Sequence, residues 1–78
     1  ELDNDPQHLN ILFELALSKI TYKDYDSAIL DLLRIFKEDT TWEDGKAKNQ
    51  LLQIFESLGH DNPIVLKGRR KLSSIIFS

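Results

Sequence analysis

Tyr25-Asp26-Ser27-Ala28-Ile29-Leu30-Asp31-Leu32-Leu33-Arg34-Ile35-Phe36 carries apolar side chains at residues 25, 28, 29, 32, 33 and 36. These recur at i, i+3, i+4, i+7, i+8 and i+11, so they line one face of an α-helix, and no other stretch of the chain is as cleanly amphipathic. Asp24 stands where an N-cap is expected, and the pattern-free run Thr21-Tyr22-Lys23-Asp24 before it is short enough to force an antiparallel return from a preceding helix. That helix is predicted to open at Asp5-Pro6, where an aspartate can cap free N–H groups and proline fits the first helical position. Leu9, Leu12, Phe13, Ala16 and Ile20 give it one apolar face. Ile11, Leu15 and Leu17 add apolar surface on the flanks, which predicts contact with several neighbours.

Downstream, Lys37 to Thr41 is polar, and Thr41-Trp42-Glu43-Asp44 has the Ser/Thr-x-x-acid form of a helix start. Ala47, Leu51, Ile54, Phe55 and Leu58 then follow at helical spacing. Gly45 weakens the first turn, which leaves the start anywhere from Trp42 to Lys46, and Gly59 is placed to end the helix in a left-handed conformation. Asn62-Pro63 opens a fourth helix with Val65, Leu66, Leu72, Ile75 and Ile76 as its apolar residues. Gly68 inside it is either a helix defect or a point of close helix approach. Ser73 to Phe77 has strand-like composition, but it continues a helical frame and has no partner strand. The class is all-α, with four helices forming hairpins over about 6–38 and 42–77. Short connections fit an up-down bundle or two stacked antiparallel hairpins, and the short helices favour the stack.

With 78 residues, one small core is the ceiling, and 41% apolar with 29% charged residues is the composition of a globular chain. A single domain over 1–78 is expected. The absence of cysteine excludes disulfides, thiolate metal sites and thiol nucleophiles from this sequence. No apolar run approaches a membrane span, which predicts a soluble, cytoplasmic protein. The chain lacks methionine even at position 1, as expected of a piece of a longer protein. The net charge of −3 is unevenly spread, with −3 over residues 1–21, −4 over 22–44 and +4 over 45–78. Such a dipole suits docking to a charged protein surface rather than to nucleic acid.

No arrangement of residues points to catalysis or to a cofactor. His8 and His60 sit in separate regions without ligand spacing, and Asp39, Glu43 and Asp44 read as helix-end charges. The serines form no nucleophile motif, and there is no glycine-rich phosphate loop.

Leu12-x-x-Leu15-Ala16 followed by Lys23-Asp24-Tyr25-Asp26-Ser27-Ala28 and Leu32 resembles a tetratricopeptide repeat, in which a small residue on the first helix lets the second pack closely. The chain departs from the repeat at Lys19, where an aromatic is usual, and at Thr40, where proline is usual. The run Trp42-Glu43-Asp44-Gly45-Lys46-Ala47, Leu51 to Gly59, Asp61-Asn62-Pro63 and Arg69 to Phe77 resembles the C-terminal tetratricopeptide region of bacterial thioredoxin-like co-chaperones of the chaperedoxin type. That resemblance implies a parent chain with an N-terminal thioredoxin fold and a C-terminal domain that binds unfolded clients or larger chaperones.

Partner-binding candidates follow from exposure arguments. Leu72, Ile75, Ile76 and Phe77 cannot all face one core, because successive helical residues point about 100° apart. Leu72 and Ile76 packing inward, with the rest on a neighbouring domain, is one reading; a sticky end that docks in a partner's groove is the other. Arg69, Arg70 and Lys71, with Lys67, form a basic turn that favours the helix C-terminus or binds an acidic partner. Trp42 either wedges between the hairpins or stands exposed as a binding hot spot. Tyr22 is expected to pack half-buried. The alternative to a client or chaperone as partner is a second copy in a homodimer.

Overall fold

The computed structural model describes the backbone of residues 6–77 and the side chains of residues 8–77. It contains α1 (Pro6–Thr21), α2 (Tyr25–Glu38), a 3-10 turn (Trp42–Asp44), α3 (Lys46–Leu58) and α4 (Pro63–Ile76). Among the described residues there is no strand. The helices form two antiparallel hairpins, α1 with α2 and α3 with α4, that stack through α2 and α3. The shortest dimension of the molecule is 18 Å, about two helix diameters.

α2 is the central element because its apolar arc is wide. Ala28, Ile29, Leu32, Leu33, Ile35 and Phe36 are all buried, which lets α2 touch α1, α3 and α4. Periodicity predicts this face except for Ile35, which is fully buried on the arc's far edge. α1 buries Leu9, Leu12, Phe13 and Ala16 as expected, yet it packs chiefly on α2 alone. α1 does meet further neighbours, Trp42 and Lys46, but through Phe13; Ile11, Leu15 and Leu17, expected to make such contacts, are exposed, because Ile11 and Leu15 lie on the side of the helix away from that buried row.

The α1–α2 turn is a Schellman motif. The Asp24 N–H donates to the Lys19 carbonyl at 2.7 Å, and the Lys23 N–H to the Ile20 carbonyl at 2.9 Å. Lys23 occupies the position that usually needs glycine, with φ of 65°. Asp24 precedes α2, but its side chain makes no capping hydrogen bond.

The second junction departs from expectation. Thr41-Trp42-Glu43-Asp44 does not cap α3. The Thr41 hydroxyl donates to Asp39 Oδ1 at 3.0 Å, and its N–H reaches the same oxygen at 3.1 Å. Glu43, Asp44 and Gly45 then run left-handed with φ of 50°, 59° and 82°, so α3 starts at Lys46 with Gly45 as its N-cap. At the other end of α3, Gly59 adopts φ 99° and ψ 148°. Its φ is positive as expected, but the extended ψ places it in a region open essentially to glycine alone.

α4 opens as predicted, with Asn62 Oδ1 accepting from the Ile64 N–H at 2.9 Å and Pro63 in the first turn. α1 likewise begins at Pro6, whereas its predicted cap Asp5 lies outside the described residues. Gly68 marks a close approach: a Cβ there would stand 3.0 Å from Phe55 Cε1 and 3.2 Å from Ile29 Cγ2. The packed interior is apolar throughout, since no described buried residue carries a polar or charged side chain.

Candidate protein-interaction surface

The end of α4 sits over the seam between α3 and α4. Leu72 is buried and forms the floor of this seam together with Phe55. Leu52, Glu56, His60, Arg69, Ser73 and Ile76 line the groove above them, which has a volume of about 330 Å³. At one lip Arg69 Nη1 lies 3.1 Å from His60 Nδ1, a geometry in which a neutral imidazole accepts the guanidinium's hydrogen bond. The result is an apolar trough with a basic edge from Arg69 and an acidic one from Glu56.

Ile76 also borders a second, shallower hollow of about 700 Å³ against Phe36, Thr41, Lys48, Asn49 and Ile75. The two isoleucines exchange the roles expected of them. Ile75 packs partly buried against the core while Ile76 is half exposed between the hollows, because Ile75 continues the helical row of Gly68 and Leu72. Phe77, just past the helix, is 83% exposed.

The basic turn does not act as one patch. Arg69 faces the α3 seam, Lys67 and Lys71 border a cleft against Asp26, Ile29 and Leu30 of α2, and Arg70 lies on neither lining and is exposed. Helix geometry scatters three consecutive cations around the axis, whereas a reading by composition groups them.

Trp42 is half-buried at the junction of the hairpins. Its ring centroid lies 5.4 Å from that of Phe13 with planes tilted by 52°. Lys46 Nζ sits 4.8 Å above the Phe13 ring and 5.9 Å from that of Trp42, within cation–π range. Such packing is that of a wedge closing the hairpin junction. Tyr22 is 80% exposed, which corrects the expected half-burial: it keeps the helical phase of exposed Ile11, Leu15 and Ser18, opposite the buried row of α1. The structure brings Arg69, Leu72, Ile75 and Ile76 together at the α4 end, and leaves Tyr22 and Trp42 elsewhere.

Sequence reasoning missed Leu52, on the groove rim, and Leu30, half exposed on α2. Both interrupt otherwise polar faces, a signal visible only once the inward face of each helix is known. Neither histidine joins a metal-ligating cluster: His8 Nε2 lies 3.9 Å from Glu38 Oε2, and among the described residues no three His, Cys, Asp or Glu side chains converge. Among the same residues no helix is long and apolar enough to cross a membrane.

The tetratricopeptide repeat family model matches residues 1–77. The chain therefore belongs to the tetratricopeptide repeat family, whose domains are typically non-catalytic modules that bind other proteins. No curated protein and no solved structure gives a significant match.

Proposed function

We propose that residues 1–78 form one non-catalytic interaction domain, the C-terminal part of a bacterial, cytoplasmic, thioredoxin-like co-chaperone of the chaperedoxin type. In this reading the partner is an unfolded client or a larger chaperone, and an N-terminal thioredoxin fold precedes the domain in the parent chain. The observation that carries it is the apolar groove at the α3–α4 seam. Phe55 and Leu72 floor it, Leu52 and Ile76 stand half exposed on its rim, and Arg69 edges it with positive charge. A trough of this kind accepts one or two large apolar side chains of an extended or helical segment, and a nearby cation selects segments with acidic neighbours. Exposed Phe77 extends the apolar surface past the end of the helix.

The test measures binding of a reduced, carboxymethylated, permanently unfolded protein by fluorescence anisotropy. Leu52→Gln with Ile76→Gln should weaken binding at least tenfold while circular dichroism stays helical, because both side chains are already half exposed. Unchanged affinity in a folded double variant would overturn the groove as the binding site. No binding by the unmodified chain or by its parent would overturn the client reading itself.

A further inference from the structure

The two ends of the stack carry matching rows on their outermost faces. On α1, Ile11, Leu15, Ser18 and Tyr22 recur at i, i+4, i+7 and i+11, turned away from the buried row Leu9, Leu12 and Ala16. On α4, Leu66, Arg70, Ser73 and Phe77 recur at the same spacing, turned away from Val65, Gly68 and Leu72. Every member of both rows is exposed, Ile11 at 61% and Leu66 at 55% among them. Each row ends in an aromatic at the helix C-cap whose N–H donates to a serine carbonyl four residues back, Tyr22 to Ser18 at 3.2 Å and Phe77 to Ser73 at 3.0 Å.

Within the chain, one hairpin joins the next through its second helix and the following first helix, α2 against α3. Apposing α4 with the α1 of another molecule continues that order. Charge favours the same pairing, since α4 has four cations without a carboxylate, while α1 exposes Glu14 one turn from Ile11 and its Lys19 is already engaged by Asp31 at 2.8 Å. We propose that the chain stacks head to tail on a second copy of itself, with the α4 row of one molecule on the α1 row of the next. Leu66 and Phe77 cover Ile11, Leu15 and Tyr22, and Arg70 sets positive charge against Glu14 of the neighbour. The contact is heterologous, so each added copy leaves both end faces free and the stack does not close. It shares only Phe77 with the surface proposed for client binding and uses neither Leu52 nor Ile76, so the Leu52→Gln, Ile76→Gln variant separates the two.

Sedimentation equilibrium tests this with the unmodified chain and two double variants, Ile11→Gln with Leu15→Gln and Leu66→Gln with Phe77→Gln, each checked for helicity by circular dichroism. The unmodified chain should show a weight-average mass that rises with concentration past twice the 9.0 kDa monomer, and the rise should shrink as salt is added. Each variant alone should lose at least tenfold in association. Mixed together, the two should form a 1:1 pair that grows no further, because each retains the face the other lacks. A chain that stays monomeric throughout would overturn the proposal, as would variants that associate like the original or a mixture that does not pair.

Discussion

The two hairpins close by different means, and the difference accounts for where the molecule is open. In the first, Ala16 and Ala28 are fully buried and small, so α1 and α2 approach closely along their length. Lys19 adds a link to Asp31 at 2.8 Å, at the position where a tetratricopeptide repeat usually places an aromatic. In the second hairpin the Phe55 ring stands between the helices, closely against the α4 backbone, where it fits because residue 68 lacks a Cβ. α4 consequently leans on α2 as well as α3, and the α3–α4 seam is left as the groove. Small residue on small residue gives a sealed pair; large residue on glycine gives a propped pair with an accessible floor.

The largest effect that bears on this contrast comes from removing the prop. Phe55 is 2% exposed and touches the site where α2, α3 and α4 meet. Phe55→Ala is expected to cost about 3–5 kcal/mol from lost burial and the cavity left behind. A domain of this length is stable by roughly 4–12 kcal/mol at ~0.05–0.15 kcal/mol per residue, so the variant should lose between about a quarter and all of its stability. Urea titration followed by circular dichroism measures this. A loss below about 1 kcal/mol would mean that α4 is held by α2 alone and that the second hairpin is not propped by the ring.

Much of this arrangement is legible in the residues. Pro6 and Asn62-Pro63 mark their helix starts because local geometry decides them, and the inward faces of α1 and α2 follow from spacing alone. The start of α3 was legible only as the span Trp42 to Lys46, and it falls at the last of these because the Thr41 hydroxyl that completes a capping pattern in sequence is instead engaged by Asp39, two residues earlier. Nothing in the spacing distinguishes these alternatives. The exchange of Ile75 and Ile76 has a different origin: adjacent isoleucines are equivalent in composition, and the rotation of α4 imposed by Gly68 on Phe55 chooses between them. For the candidate surface, residue types were readable but faces were not. Arg69, Arg70 and Lys71 form one cluster in sequence and three directions in space, and Tyr22 faces outward because it falls in phase with Ile11, Leu15 and Ser18 rather than with the buried row of α1.

The turns sharpen the same contrast at smaller magnitude. Asn62 makes a capping bond to the Ile64 N–H, whereas the Asp24 side chain makes none to α2. Asn62→Ala should therefore cost about 1 kcal/mol, and Asp24→Ala only a few tenths. Thermal denaturation of the pair reads the difference directly. Equal losses would indicate that Asp24 acts through its charge near the N-terminus of α2 rather than through a hydrogen bond.

One expected change is a gain. Lys23 holds φ of 65° so that Asp24 and Lys23 can donate to the Lys19 and Ile20 carbonyls, and a left-handed conformation costs an ordinary residue about 1–2 kcal/mol. Glycine removes that penalty, but its freer unfolded chain returns roughly 0.4–1 kcal/mol of it. The balance for Lys23→Gly is a stabilisation of about 0.5 kcal/mol, which in a domain of this size raises Tm by roughly 2–4 °C. The comparison residue is Gly59, whose φ of 99° and ψ of 148° no side chain adopts readily, so Gly59→Ala should lower Tm where Lys23→Gly raises it. A fall in Tm for Lys23→Gly would show that the lysine stem packs on α1 by more than the backbone strain it imposes, and that the first turn is as closely fitted as the helices it joins.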